Sequence, residues 1–182
     1  MAGTAGMRIF IAGATGVIGR QLLPLLAGNT VVGMTRSRPE VVRDLGAEPV
    51  VADVFDRERI LTVVAEARPD VVVHLLTDLA SRDFAANARI RRVGTRHLVD
   101  AASAANARRL VVESISFASS PEGDAAVAEM ETVARESRLE VAILRLPHLW
   151  GPGTWQERPD EGVEFLHVGE AARLVRDAIF GA

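Results

Sequence analysis

The segment Met7–Arg20, MRIFIAGATGVIGR, leaves this chain few folds to choose from. Its apolar run Ile9–Ala12 reads as a short buried strand. The chain then passes straight into Gly13, Gly16 and Gly19 before turning helical over Gln21–Ala27. A strand, a glycine-rich turn and a helix within about 20 residues form the unit that cradles the phosphates of a dinucleotide. Each glycine has its own task. Gly13 permits the tight turn out of the strand, where a Cβ would be strained. Gly16 lets the backbone approach a pyrophosphate, and Gly19 lets the new helix pack on the strand. The phosphates would meet free N–H groups and the positive end of the helix dipole. The spacing is G-x-x-G-x-x-G with no G-K-[ST], which excludes a nucleoside-triphosphate P-loop.

At 182 residues the chain suits a single NAD(P)-binding domain over residues 7–182, preceded by a flexible leader at residues 1–6. A net charge of −3 gives no reason to expect nucleic acid, and the basic run Arg89–Arg96 falls on a helix. No stretch approaches the ~18 continuous apolar residues of a membrane span. MAGTAG lacks the basic start and long apolar run of a signal peptide. With no cysteine, disulfide and thiol chemistry are absent and a cytoplasmic setting is expected. His74, His97, His148 and His167 are scattered without a metal-ligand spacing, so no metal site is expected. Two further absences bear on chemistry. The chain has no tyrosine, and all 21 of its basic residues are arginine.

Thr30–Met34 reads as a second strand ending in Thr35-Arg36-Ser37-Arg38, the place where a dinucleotide domain selects its cofactor. No acidic residue stands there to bond the ribose hydroxyls of NAD. Arg36 and Arg38 offer positive forks for the 2′-phosphate of NADP, or are simply a solvated surface pair. Pro39–Leu45 is a short helix closed by Gly46, and Glu48–Ala52 a third strand. Asp53 after it would either accept a bond from an adenine amino group or cap the helix starting near Asp56. Arg57–Ala67 is amphipathic, with Ile60, Val63, Val64 and Ala67 at helical spacing.

The near-continuous apolar strand Asp70–Leu76 is of the kind buried on both faces of a parallel sheet. His74 within it reads as a satisfied core histidine. A long helical tract follows over Ser81–Asn106, interrupted at Gly94-Thr95. Then come a strand Arg109–Val112 ending in Glu113-Ser114-Ile115-Ser116, a helix Asp124–Ser137 and a strand Glu140–Leu146 stopped by Pro147. A polar loop Gly151–Gly162, a short strand Val163–His167 and a closing helix Gly169–Phe180 complete the chain. Strict alternation of strand and helix predicts an α/β fold, a Rossmann-type doubly wound parallel sheet with helices on both faces. Ligands in such sheets sit beyond the carboxyl ends of the strands, where Gly13, Arg36, Asp53, Thr77, Ser114 and Pro147 all fall.

With these pieces in place the chain resembles the short-chain dehydrogenase/reductase superfamily, most closely its extended or atypical branch of NAD-dependent epimerase/dehydratase proteins. GATGVIGR is similar to the family glycine motif, and VVADVFD resembles its adenine-binding strand end. VVVHLLT is similar to the V-H-L-A segment that passes beside the cofactor. GTRHLVDAASAANARRLVVESIS, AILRLPHLWGPGT and FLHVGEAARLV resemble three later signatures. The resemblance implies cofactor contacts at Gly13, Thr15, Gly16, Val17, Ile18 and Gly19. It adds Asp53, Val54, Leu75, Leu76, Thr77 and Pro147 to the Arg36 already read from the end of the second strand. It also implies association into a homodimer through the helices at Ser81–Asn106 and Asp124–Ser137.

Two departures stand out. The family reaction uses a Tyr-x-x-x-Lys pair, which should fall near Gly123 and Val127, and neither residue type exists here. A phenol with an ordinary pKa near 10 needs help to act as a base near neutrality, and here both phenol and helper are missing. The standard dyad mechanism is excluded. Second, the substrate lobe that extended members insert around Pro147–His167 is reduced to a short loop. The remaining polar candidates are Ser114 and Ser116, where the family keeps the hydroxyl that polarises a carbonyl, and His148 after the sixth strand. Glu113 joins them as an acid if its surroundings are dry. Two functions are expected: an NADP(H)-favouring oxidoreductase or epimerase-like enzyme with unusual acid/base groups, or a dinucleotide-binding redox sensor or partner-binding protein without turnover. In the first case the substrate is an unidentified small molecule.

Overall fold

The structure is a computed structural model and describes residues 6–77 and 83–181. The leader expected at residues 1–6 lies, apart from Gly6, outside them, as does the expected start of the long helical tract at Ser81. Six strands form one parallel sheet: β1 (Arg8–Ala12), β2 (Thr30–Thr35), β3 (Glu48–Val51), β4 (Val71–His74), β5 (Arg109–Ile115) and β6 (Glu140–Leu146). Their order is β3-β2-β1-β4-β5-β6, so the chain reverses direction across the sheet between β1 and β4. Ile9 stands beside Val31 of β2 on one side and Val71 of β4 on the other.

Alternation along each buried strand divides the apolar residues between two cores. Ile9, Ile11, Val71, Val73 and Val111 face α1 (Val17–Leu22), α2 (Pro39–Asp44) and α7 (Val168–Phe180). Phe10, Val72, Leu110 and Val112 face α3 (Arg57–Ala67), α5 (Thr95–Ala104) and α6 (Pro121–Arg135). This is the doubly wound Rossmann-type fold that the strand–helix alternation predicts. No helix among the described residues is long and apolar enough to cross a membrane.

Several boundaries differ from expectation for local reasons. α1 starts at Val17 rather than Gln21 and tightens into a 3₁₀ turn over Leu23–Leu26. Pro24 has no N–H to give and its ring crowds the carbonyl of the preceding turn, so the α-helical ladder cannot continue. α6 begins at Pro121, before the expected Asp124, because the Ser120 hydroxyl accepts the Gly123 N–H at 3.1 Å and Pro121 suits the first turn. The tract after β4 is α4 (Phe84–Arg89), a π turn over Ile90–Gly94 and α5, so the expected interruption is a widened turn inside a continuing helix. β5 runs on through Ile115. The expected strand Val163–His167 is β8 (Phe165–His167), which leaves the main sheet and pairs in parallel with β7 (His148–Trp150). Three residues directly after Pro147 carry too little pattern to announce β7 in the sequence.

At the amino-terminal edge of the sheet, arginines close the ends of two helices. Arg8 donates to the Ala67 carbonyl at 2.6 Å, and Arg109 donates to the Ala178 carbonyl at 2.8 Å while pairing with Glu140. Cations suit helix C-termini, where carbonyls lack intrahelical partners.

The turn after β1 sets a test of the packing. Gly13 has φ +95°, and a Cβ there would lie 2.6 Å from the Leu75 carbonyl oxygen, whereas Gly46 has φ +87° with open space around it. Gly46→Ala should cost about 1 kcal/mol, the backbone strain alone. Gly13→Ala should cost a further 1–3 kcal/mol or so by overpacking. Denaturant unfolding of both variants measures this, and equal losses would mean that the approach of Gly13 to Leu75 carries no weight.

Candidate dinucleotide and substrate site

Because the sheet is parallel, its six strands end on one edge. Across that edge, from β3 to β6, stand Asp53, Arg36, Gly13, Thr77, Ser114 and Pro147. At about 4.8 Å per strand the row spans about 24 Å. All six residues thus fall on the edge where ligands of such sheets bind.

In the middle of the row the glycine turn is tightly braced. The Gly16 N–H donates to the Gly13 carbonyl at 3.0 Å, and a Cβ on Gly19 would lie 2.5 Å from that same oxygen. Only glycine lets α1 sit so close over the turn. Ile18 is buried beneath it, Val17 is half-buried, and Gly16 stays exposed at the helix start. The Thr15 hydroxyl is 3.3 Å from that of Thr35, tying the turn to β2. The Thr15 carbonyl accepts from Arg20 at 3.0 Å and from Arg38 at 3.2 Å. Arg38 therefore braces the turn instead of standing beside Arg36 as a second free fork. Arg36 itself is exposed.

Toward β3, Asp53 does not cap α3. Its carboxylate accepts the Phe55 N–H at 2.9 Å, and Asp56 is the cap, accepting from the Arg59 N–H at 3.0 Å. Val54 is buried, and its carbonyl accepts from His97 Nδ1 at 2.7 Å. Beyond β4, Leu75 is buried against Gly13, Leu76 is half-buried and Thr77 is exposed. His74 is a satisfied core histidine. Its Nδ1 accepts the Leu76 N–H at 3.2 Å, so Nε2 carries the proton and donates to the Thr95 hydroxyl at 2.9 Å. Burial, reinforced by the charge of Arg91, pushes its pKa down to about 4.

Toward β5 and β6 the candidates divide. Ser114 is buried, and its hydroxyl donates to Glu131 at 2.7 Å, so it is engaged inside the fold. Glu131 also takes Arg145 at 2.8 and 2.5 Å and Arg135 at 2.7 Å. The Arg145 hydrogen bonds, with help from Ser114 and Arg135, hold its pKa down to about 2 despite burial. Ser116 is exposed and lines a cavity of about 370 Å³ with Asp124, Val127 and Glu131 among its neighbours. His148 is stacked on Phe117 with ring centroids 3.7 Å apart and tilted against Phe165 at 5.6 Å. Pro147 is half-buried just before it. Burial pushes the Glu113 carboxyl up to about 7 against the pull of Arg91.

Sequence reasoning missed two features. Glu131 looks like one more polar residue on α6, and only the fold brings Ser114 and Arg145 from two strands onto it. Arg91 reads as part of a solvated basic run, yet it is buried, while its neighbours Arg92 and Arg96 pair with α6. The i, i+4 spacing of Glu131 and Arg135 was the one visible hint of the first.

The fold and this edge define an α/β protein of the dinucleotide-binding type with a reduced substrate lobe. The NAD dependent epimerase/dehydratase family model matches residues 9–123, and the chain belongs to that family. The match stops at the first of the two positions where the dyad was expected. A Streptomyces sp protein named 3-diazoavenalumate denitrifying reductase is 43% identical over 220 residues, covering 91% of this chain and 69% of its own. That alignment is longer than this chain, so the relative holds residues with no counterpart here. Among solved structures, the Bordetella bronchiseptica enzyme WbmH in complex with NAD+ superposes with a TM-score of 0.81 at 22% identity, covering 97% of this chain and 73% of the other. UDP-glucose 4-epimerase from Thermotoga maritima, solved with UDP-glucose, gives 0.79 at 18%, covering 95% and 73%. At such identities the likeness is one of fold.

Two titrations follow from the buried groups, in different pH windows. The folded pKa of Glu131 lies below its unfolded value near 4.5, so its contribution is complete above that value and disappears as pH falls toward about 2. Glu131→Gln should cost about 1–3 kcal/mol at pH 7, limited by the solvent around its arginine partners, and almost nothing near pH 2. Denaturant titrations across that range check this. His74 is neutral when folded, so its contribution is present above about 6.5 and declines as pH falls toward about 4. Nitrogen NMR should find it as the Nε2–H tautomer throughout that interval, and an imidazolium signal at pH 6 would contradict the assignment.

Proposed function

We propose that this protein is a nicotinamide-dinucleotide-dependent reductase whose substrate accepts hydride without a proton from the enzyme. The observation that carries this is the start of α1. α3, α4, α6 and α7 are capped by the side chains of Asp56, Asp83, Ser120 and His167; of the helices without such a cap (α1, α2 and α5), α1 is the one that leaves the glycine turn, at exposed Gly16. Its first N–H groups are left for a phosphate, in a family whose description is NAD dependent. Arg36 beside the turn supports NADP(H) over NAD(H) through the 2′-phosphate. Asp53 and Val54 would flank the adenine, with Leu75, Leu76 and Thr77 along the dinucleotide and Pro147 at the nicotinamide end.

A reduced nicotinamide supplies a hydride, and its acceptor decides what the protein must add. Carbonyl reduction and sugar epimerisation move a proton at oxygen, the task of the phenol that this chain lacks. Loss of nitrogen from an aryl diazonium needs none. The C–N bond breaks, a C–H bond forms with the hydride, and dinitrogen leaves, so charge and atoms balance with no general acid. The name of the relative at 43% identity supports this substrate class. Ser116 and His148 then line the acceptor rather than act as acids.

Calorimetry with NADPH and NADH is the first test, with tight NADPH and weak NADH binding expected. Arg36→Ala should weaken NADPH about tenfold or more and leave NADH nearly unchanged. Equal effects would reduce Arg36 to a surface residue. Turnover is then followed with NADPH deuterated at the transferring carbon and an aryl diazonium salt. Deuterium in the recovered arene, above the protein-free rate, is the expected result. Binding without reduction of any diazonium or carbonyl compound would replace this reading with a dinucleotide sensor.

A further inference from the structure

The arginines around the π turn are put to different uses. The Arg89 guanidinium lies 3.9 Å from the centre of the Phe55 ring. Arg92 pairs with Glu122 and, at 3.0 Å, with Glu129, and Arg96 pairs with Glu129 at 2.9 Å. Arg91 does neither. It is 6% exposed, yet among the described residues it has no hydrogen bond and no carboxylate within ion-pair distance. No fully enclosed side-chain nitrogen among those residues lacks a partner, so the Arg91 nitrogens are in touch with solvent while its stem is covered. Glu131, as deeply placed, is held by three side chains. Its covered stem fixes where the guanidinium of Arg91 sits, and N–H groups that meet only solvent are free to take a ligand.

Its surroundings indicate what binds. Glu113 from β5 and Asp124 from α6 act on Arg91 electrostatically, and His74 from β4 feels its charge. Asp124 already accepts the N–H and hydroxyl of Ser119 at 2.9 and 3.0 Å. Neither Glu113 nor Asp124 comes within ion-pair distance of the guanidinium, so its N–H groups stay available. The π turn adds one residue to the helix and so rotates the face presented before it by about 100°. The His74–Thr95 bond fixes the far side of that turn. Arg91 is thus held at the β4–β5 end of the strand edge, away from the glycine turn.

We propose that Arg91 anchors an oxyanion of the bound substrate, a carboxylate held bidentately by its guanidinium. The guanidinium fork matches a planar carboxylate bidentately, and the two acidic side chains nearby disfavour a phosphate dianion more strongly than a monoanion. The inference rests on the reading that a small molecule is bound at this edge for reduction, and it adds that the molecule carries a carboxylate.

The test is calorimetry of cinnamate against cinnamamide, with and without saturating NADPH. The wild-type protein should bind the acid about tenfold more tightly than the amide. Arg91→Met should remove that preference and leave amide and NADPH affinities unchanged, while Arg91→Lys keeps part of it. A structural ion-pair role predicts a lower melting temperature for Arg91→Met, whereas an anchor predicts an equal or higher one. Equal binding of acid and amide by the wild-type protein overturns the proposal, and so does an unchanged preference in Arg91→Met. Weakened NADPH with unaffected cinnamate would give the anion to the cofactor and overturn it too. If neither NADPH nor NADH binds, the reductase reading fails, and the cofactor-free titration still decides Arg91.

Discussion

The contact on which the site depends is the approach of the β1 exit to the β4 exit, with Gly13 against the Leu75 carbonyl. β1 and β4 are neighbours in the sheet but not in the chain, and the connections leaving the two strands, α1 and α5, lie on opposite faces. That divergence leaves a crevice at the strand edge. Closing the turn tightly enough to aim α1 into the crevice brings backbone onto backbone. A side chain at Gly13 or Gly19 would hold them apart.

The two edges of the sheet treat charge differently, and the direction of the helices explains it. Helices run back against the strands, so their carbonyl ends gather at the amino-terminal edge, where Arg8 and Arg109 satisfy them. Their N–H ends gather at the other edge, and most are closed by side-chain caps. At that second edge the cations Arg36 and Arg91 are not engaged with helix ends, and α1 and α2 are left without a side-chain cap. Satisfied groups surround a few unsatisfied ones, which is the pattern of a surface built to bind.

Much of this was legible before the fold was seen, because it depends on local chemistry. The glycine turn, the six strands, the amphipathic face of α3 and the buried state of His74 all follow from spacing and hydrophobicity. What was not legible depends on distant partners or on very short segments. Ser114 reads as a free hydroxyl until Glu131 arrives from α6. Arg91 reads as surface until the π turn rotates it inward. β7 is visible only through its pairing with β8, and α6 starts early because Ser120 and Pro121 form a helix entry at a place that reads as a pruned loop.

That early entry bears on the missing dyad. Gly123 sits in the first turn of α6, and a Cβ there would collide with the Ser119 hydroxyl, which donates to Asp124 as the Ser119 backbone N–H also does. A tyrosine at this position would have to displace the Ser119–Asp124 contact as well as fit its ring. The helix start is built of small and capping residues, Ser119, Ser120, Pro121 and Gly123, so the site differs from a dyad site by more than two side chains. Glu113 and Arg91 remain beside that turn, a weakened acid and an unengaged cation from two other elements. With its pKa raised to about 7 by burial, Glu113 meets the condition for an acid near neutrality, whereas under the proposed hydride transfer to a diazonium it has no proton to pass.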